Sequence, residues 1–328
     1  MPGDDTMEWK TRITEMLDIR YPIIQGAYAG FGTSKIAVPV SKAGGLGIIT
    51  ASALKTPKAL REDIRRAKTL TDKPIGVNLS IGICPEIDEM REVAIEEGIS
   101  VVETAAYKAT DHGKRLKEAG VKWIHKVATV NHAIIAEKQG VDAVVIVGLE
   151  GVGFKSVDQL PTLTSITWAA KKIKIPIIAA GGIGDARSFL AALVMGAEGV
   201  YMGTAFMGTK ECPITKRHKQ FLVDTAPNDP KIIRKVLTPP DPGMLEKVMK
   251  QKGNIPYDEW RAKLERVLLK EDPDQGQSFE PEEVLRAAPA SLAVSAIDKI
   301  VDVKELINGI VKCAEEILNS DVFSSERS

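Results

Sequence analysis

The chain has 328 residues, with 44 basic and 44 acidic side chains, four histidines and three cysteines. That length holds one large domain or one domain with an appendage, and the charge balance excludes a global field for nucleic acid or an anionic membrane, leaving a small molecule or a protein as partner. Cys84, Cys212 and Cys313 form no C-x-x-C pair, the polar start MPGDDTMEWKTR lacks a secretory core, and no run reaches about 18 apolar residues, so we expect no zinc site, disulfide framework or membrane span and a cytoplasmic protein.

Taken in chain order, short apolar, β-branched runs alternate with longer amphipathic stretches. YPIIQG (21–26) precedes SKIAVPVSKAG, a helix pattern from near Ser34 to Gly44. GLGIIT (45–50) precedes PKALREDIRRAKTL, whose Pro57 suits a first helical turn. PIGVNLSI (74–81) precedes PEIDEMREVAIEEG, which runs from Pro85 to Gly98. SVVETAA (100–106) precedes DHGKRLKEAG, and VKWIHKV (121–127) precedes VNHAIIAEKQG; these helix patterns stop at Gly120 and Gly140. DAVVIVG (142–148) precedes PTLTSITWAAKKI, starting at Pro161. IPIIAAGG (175–182) precedes DARSFLAALVMG, capped by Asp185 and ending at Gly196, and EGVYMGT (198–204) is the eighth run. The recurring terminal glycine is a C-cap signal.

Strand then helix, about eight times, predicts right-handed βαβ units and a parallel sheet. The expected fold is α/β, a (β/α)8 TIM barrel over residues 1–211. A doubly wound open sheet is the alternative, but it would carry its glycine-rich loop after the first strand. Here the densest glycine signals follow the seventh and eighth runs. Residues 212–290, with the turn-rich TPPDPG and EDPDQGQ and the helical PYDEWRAKLERVLLK (256–270), read as a smaller helical cap. Residues 291–328, with a long helix at 302–318, read as a return onto the barrel wall.

In such a barrel ligands sit at the C-terminal strand ends, with phosphates by the loops after strands seven and eight. AAGGIGD supplies Gly181 and Gly182 there, and MGTAF supplies Gly203 and Thr204. Backbone N–H groups at these positions can face a phosphate, although each loop alone is also an ordinary tight turn. Gly26, Ala27 and Tyr28 end the first run and leave room for a flat ring. Asn78, on the third run, can donate and accept. His125 and Lys126 adjoin on the fifth run, so alternation turns one of them inward. An inward Lys126 would stabilise a negative ligand or pair with Glu103. The sixth run leads into VVIVGLEGVGFKS, where Gly153 allows close approach and Glu150 is either a proton carrier or a tie to nearby amides.

These motifs, in this order, resemble the nitronate monooxygenase family, also called 2-nitropropane dioxygenase, FMN-dependent TIM barrels related to flavin-dependent enoyl-ACP reductases. The matching pieces are YPIIQGAYAG, AGGLGIIT, IGVNLSI, VVETAA, AGVKWIHKVATVNHA, GVDAVVIVGLEGVG and IPIIAAGGIGDARSFLAALVMGAEGVYMGTAFMGTKECPI, across about residues 15–225. The resemblance implies FMN as cofactor. Gly181, Gly182, Gly203 and Thr204 would hold its phosphate, with Gly153 nearby. Gly26, Ala27 and Tyr28 would lie along its ring, and Asn78 and Lys126 would touch its polar edge, Lys126 favouring an anionic reduced flavin.

The sequence also departs from that pattern. The family's loop resembles E-x-x-G-H-x-G, and its histidine handles a proton. Here Glu150 and Gly153 match, but Phe154 stands at the histidine position. Losing a positioned acid–base costs roughly 10²–10⁴-fold. ASLAVSAI (290–297) replaces a pattern resembling A-G-Q-S-x-G-x-I, and Tyr28 replaces a common methionine. Lys155, Tyr28 and Glu150 are the remaining candidate proton carriers. Three functions stay open: an FMN oxidoreductase acting on nitronates; an FMN enzyme reducing enoyl thioesters or quinones with NAD(P)H, or transforming an acyl-CoA without net redox; and a flavin-binding protein without turnover. A homo-oligomer also stays open.

Overall fold

The computed structural model describes residues 7–28, 30–153, 155–268, 272–274 and 290–320. Phe154 therefore lies outside the described residues. Eight strands form one parallel sheet: β1 (Ile23–Gln25), β2 (Gly47–Thr50), β3 (Ile75–Ser80), β4 (Val101–Ala105), β5 (Lys122–Val127), β6 (Ala143–Val147), β7 (Ile177–Ala180) and β8 (Gly199–Met202). The order β1-β8-β7-β6-β5-β4-β3-β2 follows the chain around a ring. The ring closes between β1 and β2, where Leu46 N donates to Ile23 O and Gln25 N to Leu46 O, both at 2.9 Å. The buried Gln25 side chain extends that seam, its Oε1 accepting from Ile48 N at 2.9 Å. The fold is a TIM barrel, as the alternation of runs predicts.

Alternation sorts each strand into an inner and an outer face. Ile24, Ile48, Val101, Ile124, Val145 and Ile178 fill the inside, while Val77, Val102, Trp123, Val144 and Ile146 pack outward under the helices. A short helix, Arg12–Leu17, closes the N-terminal end by adding Ile13 and Leu17 to the inner cluster. Its six residues are too few for a periodic signal, which is why the sequence pattern passes over it. The helix expected from Pro85 begins instead at Ile87, because Glu86 takes a left-handed conformation with φ 43°. That expected from Pro161 begins at Thr162, with Pro161 extended as the cap.

The helix Ala186–Val194 starts as the sequence pattern requires. Asp185 Oδ1 accepts from Ser188 N at 2.8 Å, and Ser188 Oγ accepts from Asp185 N at 3.1 Å. Asp185→Ala is expected to cost about 1 kcal/mol of stability, read as a lower urea midpoint at unchanged slope.

After β8 the described chain is helical. Lys216–Asp224, Pro230–Leu237, Pro242–Met249 and Tyr257–Leu268 follow in turn. The last two share a separate apolar cluster, Val248, Trp260, Leu264 and Val267, with Ile83 from the loop after β3. Lys252 Nζ also donates to Gly82 O of that loop at 2.7 Å. This helical pair is thereby held against the C-terminal side of the barrel. The final helix, Val303–Leu318, packs its apolar stripe of Ile307, Ile310, Val311 and Ala314 back into the main core. Among the described residues no helix is long and apolar enough to cross a membrane.

Candidate active site

The loops after β7 and β8 meet at the C-terminal mouth. Gly181 and Gly182 have φ 102° and 74°, a region that side-chain-bearing residues rarely adopt. A Cβ on Gly181 would lie 3.0 Å from Gly148 O and Gly151 N, so the β6 and β7 loops touch backbone to backbone. Gly203 caps the short helix Thr204–Met207. The N–H groups of Gly182 and Gly203 donate to no acceptor among the described residues. Both glycines are only half-buried, so these donors are open to a ligand, and this corner suits an anion. Thr204 stands beside it, its Oγ1 3.0 Å from Ser291 N and 2.9 Å from Ser291 Oγ. Ser291 is a site residue that the sequence reading did not single out. Nothing in the sequence signals that Thr204 and Ser291, 87 positions apart, meet.

Glu150 is tied down. Its Oε2 accepts from Thr162 N and lies 2.8 Å from Thr162 Oγ1, while its carbonyl accepts from Leu292 N at 3.1 Å. Glu150 thus joins the β6 loop to the following helix through its carboxylate and to the 3₁₀ turn Leu292–Ala296 through its backbone carbonyl. Lys155 Nζ donates to Leu149 O at 2.5 Å within the same loop. Gly153 has φ 107° with open space where a Cβ would stand.

The β1 end lies across the mouth. Gly26 N donates to Met202 O at 2.7 Å, and a Cβ on Gly26 would come within 3.0 Å of Gly203 Cα. The Tyr28 hydroxyl donates to Gly203 O at 2.6 Å, and its ring stacks on Phe31 at 4.6 Å. Burial pushes this phenol well above its ordinary range, so it stays neutral and serves as a hydrogen-bond donor.

Below the mouth a polar cluster interrupts the apolar interior. Lys126 points inward and His125 outward. Glu103 is 1% exposed and is the hub. Its Oε2 accepts from Asn78 Nδ2 at 2.8 Å and from the Tyr201 hydroxyl at 2.9 Å. Its Oε1 lies 3.1 Å from Lys126 Nζ, an ion pair whose angles fall outside those of a hydrogen bond. Lys126 Nζ donates to the Tyr201 oxygen at 3.1 Å, which also accepts from Ala27 N at 2.7 Å. Tyr201 is the second residue that the sequence reading passed over. A signal existed: counting back by two from the mouth residue Gly203 puts Tyr201 on the inner face of EGVYMGT.

Behind the cluster, on the outer face, Trp123 Nε1 donates to Thr104 Oγ1 at 2.7 Å, and Thr104 Oγ1 lies 2.8 Å from His125 Nδ1. Burial is the larger influence on His125 and lowers its pKa from 6.5 to about 4, against an opposing pull from Glu103. The unfolded chain therefore binds a proton below pH 6.5 that the folded chain refuses until about pH 4. Stability is expected to fall as pH drops through that window, and His125→Gln should flatten the fall. Urea midpoints at pH 7.5 and 4.5 for both proteins check this; equal losses would remove His125 as the cause.

Among the described residues no group of three or more His, Cys, Asp or Glu side chains could hold a metal ion. The barrel, the paired glycine loops at its mouth and the polar cluster beneath them define an enzyme of the TIM-barrel class. The Nitronate monooxygenase family model matches residues 10–312. A probable nitronate monooxygenase of Staphylococcus aureus MSSA476 is 31% identical over 294 residues, covering 75% of this chain and 82% of its own length. FabK from Thermotoga maritima is similar in structure at TM-score 0.75 and 32% identity, covering 94% of this chain and 97% of that one. Nitroalkane oxidase from Streptomyces ansochromogenes, at TM-score 0.69 and 21% identity over 93% and 99% of the two chains, shares the fold. The chain belongs to the nitronate monooxygenase family, and it is an oxidoreductase.

Proposed function

We propose that the protein is an FMN-dependent oxidoreductase that holds the FMN phosphate between the β7 and β8 loops. The observation that carries this reading is the pair of N–H groups, on Gly182 and Gly203, without acceptors among the described residues and beside the Thr204 hydroxyl. Gly181 lets the loop backbones approach closely enough to form that corner. The donor set is neutral, suited to a phosphate dianion through hydrogen bonds, as at other loop–helix phosphate sites. Gly26, Ala27 and Tyr28 would border the flavin ring, and Asn78 and Lys126 its polar edge, with Gly153 at the facing loop. FMN bound there would supply the electron-transfer chemistry. The protein's groups orient it, exclude water beneath the cap helices and set the charge at its edge.

The substrate reading turns on Phe154. A phenyl group carries no proton, so a nitronate oxidation that needs an imidazole there would run roughly 10²–10⁴-fold below its potential rate. Tyr28 holds a neutral phenol proton that it donates to Gly203 O, and Glu150 and Lys155 are engaged in loop contacts. A second reading, reduction of an enoyl thioester or quinone by NAD(P)H, is favoured by the likeness to FabK across nearly the whole of both chains. The cap helices over the β3 loop would border the entrance for such a substrate.

Titration of apoprotein with FMN and with riboflavin tests the cofactor claim. FMN should bind at least about tenfold more tightly, since charge-assisted phosphate hydrogen bonds are worth more than about 1.4 kcal/mol together. Equal affinities would remove the phosphate site. Anaerobic mixing of the FMN-loaded protein with alkyl nitronates or with NAD(P)H then separates the substrate readings by which donor bleaches the visible band, and an enoyl-CoA thioester or quinone added after NAD(P)H should restore it if it is the acceptor. If nitronates bleach it slowly, Phe154→His should speed them; if no reagent bleaches the band, the protein binds flavin without these reactions.

A further inference from the structure

We propose that Glu103 is a positioning and charge-compensating residue for Lys126, so that the FMN edge beside Lys126 meets a neutral ion pair and not a lone cation. The inference rests on the FMN reading above. A lysine at this edge would by itself favour the anionic reduced cofactor. Here a carboxylate stands 3.1 Å from its ammonium group. At distances longer than that separation, two opposite charges act as a dipole, and the favourable field of the lysine largely cancels.

The carboxylate is built in. The residues just below it, Ile24, Ile48, Val101, Ile124 and Val145, show that the barrel interior accepts apolar packing here. A charge at 1% exposure costs several kcal/mol unless it is paired and hydrogen-bonded. Glu103 is given both: donors from β3 and β8 fix Oε2, leaving Oε1 for Lys126. Tyr201 locks the geometry, because the oxygen that donates to Glu103 also accepts from Lys126 and from Ala27 N of the β1 loop. Lys126 therefore cannot swing toward a ligand without breaking a contact to each partner.

The groups facing Glu103 are Lys126 from β5, Tyr201 from β8, the neutral Asn78 from β3, and His125 behind β5. Burial raises the Tyr201 phenol well above its ordinary range and lowers His125 to about 4, so both stay neutral near pH 7. The compensation then depends on the Glu103–Lys126 pair alone.

The test is the midpoint potential of bound FMN in the wild-type chain, Glu103→Gln, Lys126→Gln and the double variant. Removing the carboxylate should raise the preference for reduced over oxidised FMN by about tenfold, or about 30 mV upward for a two-electron couple. Lys126→Gln should lower the potential, because the carboxylate then faces the cofactor edge without its compensating cation. The double variant should return close to wild type. An unmoved or lowered potential in Glu103→Gln, with FMN still bound, overturns the proposal. If Glu103→Gln does not fold, Lys126→Gln and the double variant decide it: the same potential in both, measured at one pH, overturns it. A wild-type chain that binds no FMN would instead overturn the FMN reading itself.

Discussion

Valine in place of Gly182 is expected to weaken FMN binding by at least about 100-fold, near 2.7 kcal/mol. Three effects add. Gly182 has φ 74°, which a β-branched residue tolerates poorly. A Cβ there would lie 3.2 Å from Glu150 Cβ, and Glu150 cannot yield because Thr162 holds its carboxylate at two points. Any relaxation must therefore move the loop and turn its unpaired N–H away from the phosphate. Quenching of FMN fluorescence on titration with apoprotein measures the effect. Gly30→Ala is the control, since a Cβ at Gly30 meets nothing within 4 Å. If Gly182→Val and Gly30→Ala bind FMN equally well, the phosphate lies elsewhere.

Replacing Trp123 with alanine should cost about 3–5 kcal/mol of stability, the largest effect expected from one core side chain. The indole is fully buried between β5 and the helix Thr110–Glu118. Gly113 of that helix lies directly on it: a Cβ at Gly113 would sit 2.3 Å from the ring. The glycine makes the groove and the tryptophan fills it, so truncation leaves a cavity that a well-packed barrel wall cannot close. Thr104 would also lose its donor, and water reaching the hole should let the His125 pKa climb back toward 6.5. Urea unfolding gives the stability change, and histidine NMR titration gives the pKa. A loss below about 1.5 kcal/mol would mean that the wall collapses around the gap.

Much of the fold was legible because buried parallel strands and amphipathic helices leave different periodicities. Each of the eight apolar runs contains an observed strand, from Ile23–Gln25 to Gly199–Met202. The short Arg12–Leu17 helix was not legible, since its closing role depends on the barrel end that it covers. The glycine loops after β7 and β8 stood out because the fold names where phosphate binds. Alternation alone could say that His125 and Lys126 face opposite ways, yet not which faces inward.

The sequence by itself determined the barrel, its helix stops and the two glycine loops, because these follow from local periodicity, capping and backbone freedom. It also exposed the phenylalanine at the family's histidine position. Only the tertiary structure decided which side chains meet across the barrel. Glu103 and Tyr201 are 98 residues apart, and Thr204 and Ser291 are 87 apart. Such pairs come together only when the ring closes and the C-terminal segment returns over the mouth. The carboxylate in VVETAA meets Asn78 of β3, Lys126 of β5 and Tyr201 of β8 only once the strands have closed into the ring.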